Sequence, residues 1–263
     1  MEVSNLKIIS KEVLKAVDAA SEEVMQIYKS DSYEIEGKID GSPVTLADKR
    51  SHDVLSSALA SIDPNIPVLS EEGDAQDNTK SLFWLIDPLD GTKEFIKQNG
   101  EFTVNIALIE EGNPIAGVVY APTKGTFWYG AKDIGSYKKN NSSDPESISI
   151  GDINNEAVKI VSSRSHPSPK LQAYLNKFEN HEIVNMGSSL KICLVADGSA
   201  HIYPRLGPTM EWDSGAGHAV LKYAGGFLTD TTTNEELVYN KENLLNPDFI
   251  CYGSAIKKKY EVL

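Results

Sequence analysis

Apolar residues in the first part of the chain recur at steps of three and four, the spacing of one face of an α-helix. We therefore predict a long amphipathic helix over residues 6–28. Its apolar stripe consists of Leu6, Ile9, Val13, Val17, Ala20, Val24 and Ile27. A predicted turn at residues 40–43 leads to a second helix, which begins after Thr45 with Asp48 as its capping-box partner and ends near Ser61.

The pattern then changes to short apolar or alternating segments, which are typical of β-strands. We predict strands at residues 67–70, 83–86, 102–109, 115–120 and 126–129, the last three in an antiparallel meander. Residues 138–148 are rich in Lys, Asn and Ser, and we predict a linker there. This linker separates an N-terminal half, about residues 1–140, from a C-terminal half, about residues 149–263.

The C-terminal half mixes both periodicities. Strands are predicted near residues 158–162, 182–186, 200–204 and 249–252. Helices are predicted near residues 168–178, 188–197 and 213–224, and Gly225-Gly226 ends the last of them. This mixture of sheets and helices indicates a layered α/β or α+β fold.

Composition and charge exclude several classes of protein. The 263 residues are 40% hydrophobic and 24% charged, which is ordinary for a globular chain. The formal net charge of −13 argues against binding to a nucleic acid polymer. It permits a small anionic ligand, because metal ions can reverse the local field at one site.

The cysteines and the apolar segments indicate the cellular compartment of the protein. Cys193 and Cys251 make no disulfide framework, and Cys193 is predicted to be a reduced, buried thiol. Residues 1–10 show no signal-peptide pattern, and no apolar stretch approaches the ~20 residues of a spanning helix. We therefore expect a cytoplasmic protein without a strong membrane signal.

Acidic residues gather at the ends of the predicted elements. Glu71 and Glu72 follow one strand, Asp87 and Asp90 flank a predicted proline turn after another, and Asp213 opens a helix. Each acid alone is typical of a solvated cap or turn. Together they offer the oxygen ligands that hard divalent cations such as Mg²⁺ prefer.

An anion site is predicted beside these acids. Gly91-Thr92 follows Asp90 and opens a short helix, where free backbone N–H groups can bind an anion. Acids for cations next to N–H groups for anions are what metal-assisted phosphoester hydrolysis requires. The residues therefore favour a phosphatase.

Three segments resemble the signature motifs of the inositol monophosphatase superfamily, in the order and spacing of that family. They are LSEE at residues 69–72, WLIDPLDGT at residues 84–92 and WDSGAG at residues 212–217. Residues 92–109, 187–191 and 203–205 resemble more narrowly its 3′(2′),5′-bisphosphate nucleotidase branch of CysQ type. The resemblance spans nearly the whole chain and implies one catalytic unit with an α+β fold, a layered α-β-α-β-α sandwich.

The resemblance implies two or three Mg²⁺ ions and names their ligands. Glu71, Asp87 and the Leu89 carbonyl match the ligands of a first ion, and Asp87, Asp90 and Asp213 those of a second. Two ions about 3.5–4 Å apart can stabilise both the attacking and the leaving oxygen of an in-line displacement.

The catalytic residues that the resemblance implies are Asp48, Thr92 and Glu71. Asp48 and Thr92 match positions that orient an attacking water in relatives, and an Asp–Thr–water chain is chemically sensible. An alternative for Asp48 is a purely structural role as the capping-box acid of Thr45.

Substrate contacts are implied less sharply. The positions that match are Glu71, Leu89, Asp90, Gly91, Thr92, Ser188, Lys191, Arg205 and Asp213. Arg164 or His166 is a weaker candidate for an adenine or phosphate contact. Cations such as Lys191 and Arg205 are needed because two phosphates bring more charge than the metal ions neutralise.

The implied reaction is magnesium-dependent hydrolysis of the 3′-phosphate of adenosine 3′,5′-bisphosphate to AMP and phosphate, with 3′-phosphoadenylyl sulfate as a second substrate. Two alternatives stay open: an inositol phosphate phosphatase on the same scaffold, and a regulator that binds the nucleotide without hydrolysis. The resemblance also implies sensitivity to lithium, a place in sulfur assimilation, and peripheral association with the inner face of a membrane in some relatives. The oligomeric state stays open.

Overall fold

The computed structural model describes residues 11–30, 35–37, 43–73, 80–141, 143–151, 157–163 and 169–260, which contain both helices and strands. Within these ranges the helices are α1 (Lys11–Tyr28), α2 (Leu46–Ile62), α3 (Thr92–Ile96), α4 (Pro169–Leu175), α5 (Leu190–Ala196), α6 (Glu211–Tyr223) and α7 (Ser254–Lys259). The strands up to the middle of the chain are β1 (Ile35–Gly37), β2 (Pro43–Thr45), β3 (Val68–Ser70), β4 (Leu82–Asp90), β5 (Thr103–Glu110), β6 (Asn113–Ala121) and β7 (Thr126–Ala131). The remaining strands are β8 (Gly135–Asn140), β9 (Glu146–Ile148), β10 (Val158–Ser163), β11 (His181–Met186), β12 (Ile202–Arg205), β13 (Gly226–Asp230) and β14 (Phe249–Gly253).

The first two helices form as their patterns predict. The predicted stripe of α1 is buried from Val13 to Ile27, whereas its predicted start at residues 6–10 lies outside the described residues. Thr45 is the N-cap of α2, and its hydroxyl accepts a hydrogen bond from the Ala47 N–H. The side chain of Asp48 accepts the Thr45 N–H in return, which completes the capping box.

A seven-stranded sheet carries the N-terminal half, in the order β3-β4-β5-β6-β7-β8-β9. Strands β5, β6 and β7 pair antiparallel as the predicted meander. Strand β3 instead runs parallel to β4, so the carboxyl ends of these two strands meet at one edge of the sheet. This edge is where the first acidic motifs lie.

The prediction of a linker at residues 138–148 is wrong, because most of these residues belong to strands. Residues Lys138 to Asn140 belong to β8, and residues 146–148 form β9, which pairs antiparallel with β8. The polar composition suits these strands because β9 is the edge strand and β8 is its neighbour, and most of their side chains stay partly exposed. The chain passes to the second sheet only after β9.

A five-stranded mixed sheet carries the C-terminal half, in the order β11-β10-β12-β14-β13. Strands β11, β10 and β12 are parallel, and β14 runs antiparallel to β12 and β13. All four predicted strands of this half are present, and β13 was not predicted. Gly225 follows α6 with a φ of 90°, and this left-handed turn allows β13 to begin at Gly226.

The chain forms five layers, which are held together by three apolar clusters. Helices α1 and α2 cover one face of the seven-stranded sheet. Helices α5 and α6 lie between the two sheets, with α6 against the seven-stranded sheet and α5 against the five-stranded one. Residues of α4 and α7 pack on the outer face of the five-stranded sheet. The layered α-β-α-β-α sandwich is confirmed.

Smaller differences from the sequence predictions concern boundaries. Strand β4 continues through Asp90, where a turn was predicted, and α6 begins at Glu211. Helix α7 and the hairpin of β1 and β2 were not predicted, and residues 40–42 of the predicted turn lie outside the described residues. Among the helices described, none is both long enough and apolar enough to cross a membrane.

Candidate metal centre and substrate pocket

The parallel strands β3 and β4 bring the first acids together. Glu71 follows β3 directly, and its N–H donates to the Ile86 carbonyl of β4 at 3.3 Å. Asp87 and Asp90 lie at the carboxyl end of β4. Because neighbouring parallel strands end at the same edge, these three acids lie near one another without being close in sequence.

The pairing of β4 is irregular between Asp87 and Asp90, at Pro88 and Leu89. The pairing with β5 shifts register between Asp87 and Asp90, and Pro88 has no N–H to offer the ladder. The Leu89 N–H donates to Asp87 Oδ1 at 3.1 Å, and the Ser51 hydroxyl donates to the Pro88 carbonyl at 2.7 Å. The predicted proline turn is therefore a bulge inside a strand.

The last acid comes from the C-terminal half. Asp213 lies in the first turn of α6, where its Oδ2 accepts the Met210 N–H at 2.8 Å. Carboxylate oxygens of Glu71, Asp87 and Asp213 all lie within 4.8 Å of one another. The structure thus assembles three of the predicted metal ligands from β3, β4 and α6 into one cluster.

The electrostatics of this cluster favour a bound cation. Burial, followed by the charges of Glu71 and Asp90, raises the pKa of Asp87 well above its usual range. Burial, with Asp90 and Glu71, also raises the pKa of Asp213, to about 7. Asp87 Oδ2 is buried and has no hydrogen-bond partner among the described residues. A hard divalent cation would satisfy this oxygen and neutralise the cluster, so the donor set fits Mg²⁺.

Asp90 stands beside the cluster rather than within this group of three. Its charge acts on both Asp87 and Asp213. Its Oδ2 accepts hydrogen bonds from the Ser189 N–H at 2.5 Å and from the Ser189 hydroxyl at 2.6 Å. The two halves of the molecule therefore meet at Asp90.

Asp48 and Thr92 lie together, as the resemblance implies. The Thr92 hydroxyl is 3.1 Å from Asp48 Oδ1 and 3.4 Å from the Leu89 carbonyl. Asp48 Oδ2 accepts both the Thr45 N–H and the Thr45 hydroxyl at 2.7 Å. The capping role of Asp48 and its contact with Thr92 therefore coexist, one on each oxygen.

A solvent-open pocket lies beside Asp90 and Asp213. Its walls are Asp90, Gly91, Glu94, Ser163, Gly187, Ser188, Ser189, Lys191, Ile192, Tyr203, Arg205, Thr209, Asp213 and Phe249. Gly91 has a φ of 93°, and a Cβ there would lie 3.1 Å from the Glu101 carbonyl. Only glycine suits this backbone, which carries the chain from β4 into α3.

Two cations line this pocket. The ammonium of Lys191 donates to the Ser188 carbonyl at 2.6 Å and lies 5.6 Å from the centre of the Tyr203 ring. Burial lowers the pKa of Lys191 to about 8. Arg205 donates through Nη2 to the Pro208 carbonyl at 2.6 Å, and its buried Nε has no partner among the described residues. The pocket is therefore suited to an anion.

The structure places most of the predicted site residues in one region. Arg164 and His166 lie outside the described residues, so their role stays a prediction. Sequence reasoning did not select Glu94, which is buried and lines the pocket, and it gave Ser189 no role. The signal for Ser189 was present, since it lies inside the segment at residues 187–191.

Comparisons with known proteins agree with this arrangement. Residues 6–260 match the model of the inositol monophosphatase family. The chain is 43% identical over 243 residues to the 3′(2′),5′-bisphosphate nucleotidase CysQ of Salmonella typhimurium, covering 91% of this chain and 97% of that protein. It is 44% identical over 234 residues to the protein of the same name from Escherichia coli strain K12, covering 88% of this chain and 94% of that protein.

Solved structures show the same similarity. The crystal structure of CysQ from Bacteroides thetaiotaomicron, described as a bacterial member of the inositol monophosphatase family, superposes with a TM-score of 0.82 at 39% identity. The match covers 92% of this chain and 96% of that one. On the family match and these relatives, the chain belongs to the inositol monophosphatase family.

Proposed function

We propose that this protein is a magnesium-dependent 3′(2′),5′-bisphosphate nucleotidase that hydrolyses the 3′-phosphate of adenosine 3′,5′-bisphosphate to AMP and phosphate. The observation that carries this proposal is the three-carboxylate cluster of Glu71, Asp87 and Asp213 beside a pocket lined by Lys191 and Arg205. The names of the CysQ relatives support the same activity.

The residues that would hold the metal ions follow from the cluster. Glu71, Asp87 and the Leu89 carbonyl would hold one ion, and Asp87, Asp90 and Asp213 a second. Bound Mg²⁺ would supply charge neutralisation for the phosphoryl group and a lowered pKa for water. The protein contributes a fixed set of oxygens, whose mutual repulsion is relieved by a bound cation or by protonation.

The chain's own proton-handling group is the pair of Thr92 and Asp48. Because the Thr92 hydroxyl donates to Asp48, its lone pairs face away from that carboxylate and can accept a hydrogen bond from a water. Asp48 is held by both donors of Thr45, so it fixes the direction of the Thr92 hydroxyl. This geometry would orient an attacking water and receive its proton.

The pocket supplies the groups for the rest of the substrate. Lys191, Arg205 and Ser188 line the pocket and would bind the second phosphate and the nucleoside. A second phosphate would account for a buried lysine and a partly buried arginine in the wall of this pocket, in a protein that is acidic as a whole. We extend the proposal to 3′-phosphoadenylyl sulfate, which carries the same 3′-phosphate.

The test is phosphate release from adenosine 3′,5′-bisphosphate and from inositol 1-phosphate, each with and without magnesium. We expect magnesium-dependent turnover and a higher kcat/KM for the nucleotide, because inositol 1-phosphate has no second phosphate for Lys191 and Arg205. A higher kcat/KM for inositol 1-phosphate would show that the protein is instead an inositol phosphate phosphatase. Tight nucleotide binding without turnover would establish a non-catalytic regulator.

Lithium provides a second check on the metal centre. We expect lithium chloride to inhibit turnover and sodium chloride of equal concentration not to, because lithium would compete for one of the metal positions. Identical rate curves in the two salts would count against a metal centre of this type.

A further inference from the structure

Strand β5 and Glu101, two residues before it, hold the loop that leads into α5. Every second residue from position 101 to position 105 uses its side chain to bind one residue of residues 187–189. The pairs are Glu101 with the Gly187 N–H at 2.8 Å, Thr103 with the Ser188 hydroxyl at 3.4 Å, and Asn105 with the Ser189 hydroxyl at 2.9 Å. In an extended chain every second side chain points to the same face, so Glu101, Thr103 and Asn105 can all reach this loop. We call these three pairs the ladder.

Space is restricted along this ladder. A Cβ on Gly187 would lie 2.8 Å from the Glu101 carbonyl and 2.8 Å from Glu94 Cγ. No side chain fits there, so the loop approaches β5 at backbone distance. The ladder therefore fixes the first residues of α5, in the C-terminal half, against the N-terminal half.

The last rung reaches the metal ligands. The Ser189 hydroxyl accepts the amide N–H of Asn105, and its single hydrogen faces two acceptors. These are Asp90 Oδ2 at 2.6 Å and the Asp213 carbonyl at 2.8 Å. The backbone N–H of Ser189 donates to Asp90 Oδ2 as well, at 2.5 Å.

The hydroxyl of Ser189 is not used for its own helix. Ser189 occupies the N-cap position of α5, where a serine side chain usually accepts an N–H of the first turn. Here the side chain makes no such capping bond. Its hydroxyl is directed instead at Asp90, Asn105 and the Asp213 carbonyl, which argues against a role confined to helix capping.

Among the described residues, the donors to Asp90 converge on one of its oxygens. Besides the two bonds from Ser189, Oδ2 lies 3.4 Å from the Asn105 amide nitrogen and 3.5 Å from the Thr103 hydroxyl. A cation that approached Oδ2 would meet these hydrogens, which carry partial positive charge. Oδ1 is the oxygen left for a metal ion.

We propose that Ser189 is a positioning residue for the metal centre: it holds Asp90 through Oδ2, so that Asp90 binds metal through Oδ1 alone, and it ties this carboxylate to the start of α6. The inference rests on the proposed function for the identity of the metal ion. It adds a residue that acts on the metal centre through Asp90, from a position in the wall of the pocket.

The experiment compares the parent with Ser189→Ala and Ser189→Thr. The readout is magnesium binding measured by calorimetry on the full chain without nucleotide, followed by the magnesium dependence of kcat. We expect Ser189→Ala to weaken magnesium binding by about tenfold, the loss typical of residues that orient a metal ligand. Ser189→Thr retains the hydroxyl and is expected to recover most of the affinity.

Ser136→Ala is the matched control. It removes another buried serine hydroxyl, one that donates to the Val220 carbonyl at 2.7 Å, away from the acids. Its magnesium affinity is expected to equal that of the parent. Asn105→Ala serves as the second variant should Ser189→Ala lose its native circular dichroism, and it is expected to weaken magnesium binding in the same direction.

Two outcomes would overturn the inference: unchanged magnesium affinity in a folded Ser189→Ala protein, or an equal loss in Ser136→Ala. Failure of the proposed function gives a different result. In that case the parent would bind magnesium in a Ser189-dependent manner but release no phosphate from the bisphosphate nucleotide.

Discussion

At the scale of single residues, the centre is defined by a carboxylate placed where water cannot reach it. Asp87 is 1% exposed, and one of its oxygens has no hydrogen-bond partner among the described residues. Burying a charged group without a partner is strongly unfavourable. Without a cation, Asp87 avoids this cost by staying protonated, since burial and the neighbouring acids raise its pKa. A bound cation instead stabilises the charged form, as expected for a metal ligand.

Asp90→Asn is expected to abolish turnover. The substitution keeps the shape of the side chain but removes the negative charge that acts on both Asp87 and Asp213. Loss of a metal ion removes several kcal/mol of transition-state stabilisation, which lowers kcat roughly 10³-fold. The measurement is kcat at saturating magnesium, with the exposed Asp18→Asn as control. Equal kcat in Asp90→Asn and the parent would refute the role of Asp90 in metal binding.

Lys191→Ala is expected mainly to raise KM for the bisphosphate nucleotide, with a smaller effect on kcat. Burial lowers the pKa of Lys191 to about 8, so the ammonium loses its proton as the pH rises through that value. The KM of the parent should therefore increase between pH 7 and pH 9. In Lys191→Arg, whose guanidinium stays charged, KM should change much less over this range. A parent KM that is flat over the same range would contradict this assignment.

At the scale of elements, α6 places Asp213 by packing closely on the seven-stranded sheet. A Cβ on Gly117 of β6 would overlap the Ala216 carbonyl and lie 2.9 Å from Ala219 Cβ. The small residues of α6 and β6 therefore let the helix approach the strand at backbone distance. This approach puts the first turn of α6 at the edge where β3 and β4 end.

Gly117→Ala is expected to destabilise the protein by about 1–3 kcal/mol, the usual cost of overpacking a core. Denaturant unfolding gives this difference. Gly207→Ala is the matched control, because a Cβ at Gly207 meets no atom within 4 Å. Equal free energies of unfolding for the two variants would show that α6 can shift without cost.

The elements also show which predictions local pattern could support. The stripe of α1, the cap of α2 and the meander strands were predictable because their periods and capping residues are local. The linker prediction failed at residues 138–148 because the polar residues there form the edge strand β9 and the end of its neighbour β8, whose partly exposed side chains give a composition that resembles that of a loop. The bulge between Asp87 and Asp90 was missed because it depends on pairing with β5.

At the scale of the whole molecule, the metal centre makes the folding stability depend on pH. The pKa of Asp213 is about 7 in the folded protein and 3.8 in a free side chain. Because this pKa is higher in the folded protein, the protonated Asp213 side chain contributes to folding stability. This contribution is fully present below pH 3.8 and is lost as the pH rises to about 7. Without metal, this group therefore makes the folded protein less stable at pH 7 than at pH 5.

Magnesium is expected to raise the melting temperature, and to raise it more at pH 7 than at pH 5, because protons compete with the metal for the same carboxylates. Thermal unfolding with magnesium chloride or with sodium chloride of equal ionic strength measures this. Asp213→Asn should be more stable than the parent without metal at pH 7 and should respond weakly to magnesium. Equal stabilisation of the parent by both salts would exclude a specific site.

The sequence by itself determined the local elements and the chemical types that the site uses. The acids, Gly91-Thr92, Lys191 and Arg205 stand out because their residue types and motif order carry the resemblance to the family. The composition and the mixed periodicity also determined that the fold is layered.

Only the tertiary structure decided which of these groups meet. Glu71, Asp87 and Asp213 come from β3, β4 and α6, and their separation depends on how α6 lies against the sheet. The role of Ser189 appears only when the loop before α5 lies against β5. Such contacts join residues far apart in the chain, so they depend on the packing of the layers, which a periodicity along the chain does not specify.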